Sequence, residues 1–165
     1  MFSLNTLLLY SMNTHVQFKF EQYPTILDAL ATCVRKMLPC KSAVHLESLR
    51  MVTLLVRNLS MNVCNLQPLL TSKLFELLFE LFQSGHDREC TKNILDFMAF
   101  LLKIGWDPKP AIARIYLLLS SDRMEEVEIA LDFLRVLSDD NHPSVEGIIT
   151  VNKDVLSSLF LSPSQ

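Results

Sequence analysis

"EIALDFLRVLS", Glu128 to Ser138, has an echo upstream in "KNILDFMAFLL", Lys92 to Leu102. Leu-Asp-Phe recurs, and apolar residues surround it at matching places. Both stretches carry apolar side chains at i, i+3, i+4 and i+7, the spacing of one helix face. Either one helix is used twice, or the match is accidental in a Leu-rich chain. The sequence between and around the two stretches decides.

The turns that precede the long helices also recur. "MLPCKSAVHLE" (Met37–Glu47), "LFQSGHDRE" (Leu81–Glu89), "LLSSDRMEE" (Leu118–Glu126) and "LFLSPSQ" (Leu159–Gln165) each take an apolar helix end into a small polar turn. In the complete copies a long amphipathic helix follows, at Val44–Leu59, Cys90–Ile104 and Met124–Leu137. The turn serines Ser42, Ser84, Ser121 and Ser162 lie 42, 37 and 41 residues apart. Recurrence of turn, cap and helix at a fixed period is the signature of stacked helical repeats.

Composition agrees with an all-helical chain. Half of the 165 residues are hydrophobic, so the chain is not disordered, and only three glycines occur, too few for a turn-rich β fold. Helices are expected over Leu4–Met12, Thr25–Leu38, Ala43–Leu59, Leu66–Phe82 with Asn65 as cap, Asp87–Ile104, Pro108–Leu119, Arg123–Leu137, Ser144–Thr150 and Asp154–Leu161. Phe18 and Phe20 are expected to staple the helix that follows them. No run of about 18 uncharged apolar residues is present, so no membrane span is expected.

Residues 1–60 carry six Lys/Arg against three Asp/Glu, and residues 61–165 carry nine against fifteen. A chain acidic over most of its length is a poor ligand for a phosphate backbone, although the basic first third keeps nucleic acid as an alternative. Cys33, Cys40, Cys64 and Cys90 form no CxxC pair and read as reduced thiols of a cytosolic or nuclear protein. Gly-rich phosphate loop, GxSxG and HExxH patterns are all lacking. "HDREC" puts His86 and Cys90 on one helix face, but no second pair of ligands accompanies them; Asp87 reads as a helix cap and Cys90 as core. Neither metal, cofactor nor catalytic residue is expected, and the chain does not read as an enzyme.

With "LLSSDRMEEVEIALDFLRVLSDDN" (Leu118–Asn141) and "TLLVRNLSMN" (Thr53–Asn62), the chain resembles armadillo repeats, with HEAT-type repeats close in pattern. The resemblance implies an all-α, right-handed α-solenoid of about three repeats. Residues 24–62, 63–105 and 106–141 would be the repeats, with partial ones at 1–23 and 142–165, all in one domain. Neither flank has the polar cap such arrays need, so a longer chain or a partner covering an end is expected. The resemblance further implies a scaffold or adaptor that binds a protein or peptide along the third helix of each unit, or a regulatory subunit of a larger complex. Asn58 matches the family's peptide-holding Asn, but Phe100 and Val136 stand at the next two equivalent places. An apolar or helix-in-groove mode therefore stands beside the extended-peptide mode. Arg57 and Arg135 fall at equivalent positions, and Trp106 sits in the turn between repeats. Arg57, Asn58, Phe100, Trp106 and Arg135 are the candidate partner-binding residues.

Overall fold

The computed structural model describes residues 4–12, 19–40, 42–85 and 87–139. Among these, all regular structure is helical: α1 (Leu4–Ser11), α2 (Pro24–Met37), α3 (Ala43–Leu59), α4 (Leu66–Leu70), α5 (Lys73–Ser84), α6 (Arg88–Leu102), α7 (Lys109–Leu119) and α8 (Met124–Asp139). Single 3-10 turns lie at Phe20–Gln22 and Val63–Asn65. The helices expected over Ser144–Thr150 and Asp154–Leu161, the turn serine Ser162, Phe18 and His86 fall outside the described residues.

The chain divides into two compact units, Met1–Trp106 and Asp107–Gln165. The division falls one residue beyond the repeat boundary expected at 105/106. In the first unit, α3 packs along α6, α2 along α5, and α1 along α3. In the second, α7 packs along α8.

Caps explain most of the boundaries. Pro24 opens α2, where its missing N–H is not needed. Ser42 starts α3 in extended conformation, its hydroxyl accepting from the His45 N–H. Gly85 closes α5 at φ 62°, a left-handed conformation that a side chain disfavours. Gly105 does the same after α6 at φ 80°, and the Trp106 N–H returns to the Leu101 carbonyl at 3.2 Å. α8 begins at Met124, and Ser121 organises its approach. The Ser121 hydroxyl accepts from the Arg123 N–H at 3.2 Å and donates to Glu126 at 2.7 Å.

One expected helix is broken. In place of a single helix over Leu66–Phe82, α4 ends at Leu70 and α5 starts at Lys73. Ser72 supplies the reason: it is extended, and its hydroxyl accepts from the Phe75 N–H at 3.3 Å. A Thr-Ser pair competes with the helix ladder and favours a new cap. Asn65, read as the cap, has helical backbone angles and makes no side-chain cap bond. It is fully buried and joins two distant segments. Its Oδ1 accepts from the Phe20 N–H at 2.9 Å, and its Nδ2 donates to the Leu59 carbonyl at 3.0 Å. Phe20 is 1% exposed, so this bond fixes the turn that delivers the chain into α2.

Replacing Asn65 with Ala removes the side-chain acceptor of the buried Phe20 N–H and one of two donors to the Leu59 carbonyl, which keeps the Asn62 N–H at 3.3 Å; losing such a buried bond costs about 1–3 kcal/mol. In urea titrations the Asn65→Ala midpoint is expected to fall by the equivalent of about 1–3 kcal/mol with an unchanged slope. A midpoint equal to the wild type would show that the bracket carries no load.

Candidate functional site

The α3–α6 seam concentrates the polar chemistry of the first unit. Arg50, Thr53 and Arg57 share one face of α3, at i, i+3 and i+7. Opposite them on α6 stand Asp87, Cys90, Asn93 and Asp96. Arg50 grips Asp87 with both arms of its fork, Nε to Oδ1 at 3.1 Å and Nη2 to Oδ2 at 2.8 Å. Asn93 Nδ2 donates to Thr53 Oγ1 at 3.2 Å, and Arg57 Nε donates to Asp96 Oδ2 at 2.8 Å. The partners are 37, 40 and 39 residues apart, so both helices advance together and run parallel.

Asp87 serves two masters at once. The oxygen that accepts from Arg50 Nε also accepts from the Cys90 N–H at 3.1 Å, capping α6. A bidentate guanidinium–carboxylate pair is the strongest charge-assisted geometry available to side chains. Its effect shows in the titration. The Arg50 hydrogen bond holds the Asp87 carboxyl below the usual carboxylate range; burial opposes the shift, and the Cys90 N–H reinforces it. The same hydrogen bond raises Arg50. Burial pushes the Cys90 thiol up to about 12, with the Asp87 charge adding to the shift.

Beside this seam runs an open groove of about 480 Å³. Its walls carry four cations, Arg50, Arg57, Arg88 and Lys92, and three acids, Asp87, Glu89 and Asp96. Asn93 completes the lining. Glu47 adds a further acid beside Arg50 at 3.5 Å. Charge is therefore dense but nearly balanced, and much of it is spent within the wall.

The candidate residues separate into distinct places. Arg57 and Asn58 lie together: Arg57 Nη1 donates to Asn58 Oδ1 at 3.4 Å, and Asn58 Nδ2 donates to Ser11 Oγ of α1 at 3.3 Å. Both ends of the Asn58 amide are thus engaged within the chain. Phe100 is half-buried, with the Lys103 ammonium 5.1 Å from its ring centre. Trp106 folds back edge-on to Phe75 at 6.2 Å, in a cluster with Phe97. Arg135 is exposed on α8 of the second unit. In "HDREC", Asp87 caps α6 and Cys90 is buried. Among the described residues no group of three His, Cys, Asp or Glu side chains is placed to hold a metal ion.

Arg50, Lys92 and Asp96 escaped the sequence reading, as did the pairing of the cap residue Asp87 with Arg50. Their signal is cross-repeat: a basic residue on one long helix and an acid 37 or 39 residues later on the next. The chain matches no protein-family model, no curated protein and no solved structure.

Two measurements check this chemistry. Because the Asp87 carboxyl is lowered in the folded state, its pairing contributes stability fully above the unfolded pKa near 4 and loses it as pH falls through the folded value. The stability difference between wild type and Asp87→Asn is therefore expected to be largest at neutral pH and to narrow below about pH 4; a constant gap down to acid would contradict the pairing. Thiol labelling at pH 8 is expected to modify the exposed Cys33 and Cys64 in the folded chain, and Cys90 only after denaturation.

Proposed function

We propose that the chain is a non-enzymatic protein-interaction module. In this reading it is an armadillo-like, right-handed α-solenoid of about three repeats whose α3–α6 face receives a protein or peptide. The observation that carries the reading is the pairing of equivalent helices. The segments 24–62 and 63–105 each supply one member of the α2–α5 pair and one of the α3–α6 pair. The offset of 37 to 40 residues across the α3–α6 seam is close to the 37 to 42 residues that separate successive turn serines. α1 adds a third helix to the α3–α6 layer, as the partial repeat at 1–23 would. The short α4 ahead of α5 and α6 supports the same comparison, since the family places a short helix before two longer ones.

Binding is favoured over catalysis because the groove's acids and arginines are engaged with one another. Arg50 and Arg57 hold Asp87 and Asp96 at 2.8 Å each, which leaves no poised acid–base pair. The reading invokes no cofactor. Four free thiols, at Cys33, Cys40, Cys64 and Cys90, support a reducing compartment, the cytosol or nucleus. No helix among the described residues is long and apolar enough to cross a membrane.

Affinity purification with quantitative mass spectrometry tests the proposal. Lys92→Glu reverses an exposed charge on the groove wall, and Arg57→Gln releases Asp96. Proteins that bind this face are expected to be depleted at least about tenfold with the double variant while its helicity and melting temperature stay within a few degrees of wild type. Undiminished recovery of every captured protein would move the binding surface elsewhere.

A further inference from the structure

Asn93 is the uncharged side chain among the residues that line the α3–α6 groove, and it is 6% exposed. Its neighbour fixes its orientation. The Thr53 hydroxyl donates to the Arg50 carbonyl at 2.9 Å, so toward Asn93 it accepts. The Asn93 NH2 group therefore lies on the seam, 3.2 Å from Thr53 Oγ1, and the amide oxygen is the end that Thr53 does not hold. Asn93 Oδ1 accepts no hydrogen bond from any described residue, and solvent reaches it. A nearly buried amide with an open acceptor beside a groove is a defined place for one incoming donor. Asn93 lies seven residues before Phe100, so it is not the counterpart of Asn58.

One residue earlier, Lys92 stands exposed on the groove wall and forms no ion pair with any described acid. Arg50 and Arg57, by contrast, each hold a carboxylate. The groove thus leaves two open positions side by side: an acceptor without a donor, and a cation without an anion. Glu89 and Asp96 flank Asn93 at i−4 and i+3. A doubly charged phosphate would be repelled by both, whereas a single carboxylate meets Lys92 at the rim. A backbone N–H is a neutral donor and adds no charge between the two acids.

We propose that the groove takes an acidic peptide segment: an Asp or Glu carboxylate pairs with the Lys92 ammonium, and a nearby backbone N–H donates to Asn93 Oδ1. This rests on the reading of the α3–α6 face as a protein-binding surface and names the chemistry of what it binds. The groove's volume of about 480 Å³ lies within the range of about 300–1,000 Å³ common to ligand sites. The carboxylate sets the charge preference. The N–H sets the register, because a ligand that covers Asn93 Oδ1 without a donor leaves a buried acceptor unpaired.

Panning a phage-displayed library of random linear dodecapeptides on the full chain supplies the probe. Enriched sequences are expected to share an Asp or Glu, and their synthetic, labelled copies go to fluorescence anisotropy. Lys92→Glu is expected to weaken binding about tenfold, and a peptide with Lys in place of its acid is expected to regain that loss on the Lys92→Glu chain to within about threefold. N-methylating the peptide backbone one amide at a time is expected to find a position near the acid where wild-type affinity falls about tenfold. The same methyl group is expected to change binding to Asn93→Ala less than about twofold. Failure to enrich any peptide overturns both this inference and the protein-binding reading of the face. Enriched peptides without an acid, indifference to Lys92→Glu, absence of a methyl-sensitive amide, or displacement by inorganic phosphate at equal ionic strength each overturns the inference and leaves that reading standing.

Discussion

The grip of Arg50 on Asp87 is the constraint around which the first unit is arranged. It joins the middle of α3 to the first turn of α6, and the same carboxylate caps α6. Sliding one helix by a turn would break the fork and part Asn93 from Thr53 together. The outer pair, Arg57–Asp96, is more than one-third exposed on each side, and such pairs contribute at most about 1 kcal/mol. Its role is therefore register more than stability. The apolar side chains would tolerate several alignments of two parallel helices; the polar row accepts one.

Apolar burial supplies the bulk of the cohesion. Leu49, Val52, Leu66, Leu69, Leu74, Phe82 and Met98 are essentially inaccessible to water. The polar row lies along the margin of this core. Because its charges are largely matched, the face they create is hydrophilic without a strong net field. Long-range attraction to a polyanion such as a nucleic acid needs an uncompensated basic surface. Arg50 and Arg57 do not supply one, since each already holds an acid.

Helices, their order and most of their ends were readable from periodicity and caps: Pro24, Ser42, Gly85, Asp87 and Gly105 all act where their chemistry suggests. The break at Thr71-Ser72 was hidden because leucines continue through it and mask the change of face. Asn65 misled for a related reason. An Asn before a helix is a cap by local rules, but the buried Phe20 N–H and Leu59 carbonyl claimed its side chain first. The site was less legible than the fold. A sequence shows that Arg50 and Arg57 share a face, whereas it does not show that each meets an acid from the next long helix. Arg57 and Asn58 read as partner-binding groups from the sequence, and the bonds each makes within the chain are not legible there.

The turn at Gly105 has an optical consequence. It folds back the chain's one tryptophan, Trp106, onto Phe75 at the last position of the first unit. Indole emission therefore reports on the aromatic cluster of that unit, while circular dichroism sums the helices of both. Comparing the two signals along one denaturation curve separates a chain that melts as a whole from one whose halves melt apart. The protein thus carries its own spectroscopic label at the boundary where such a label is most informative.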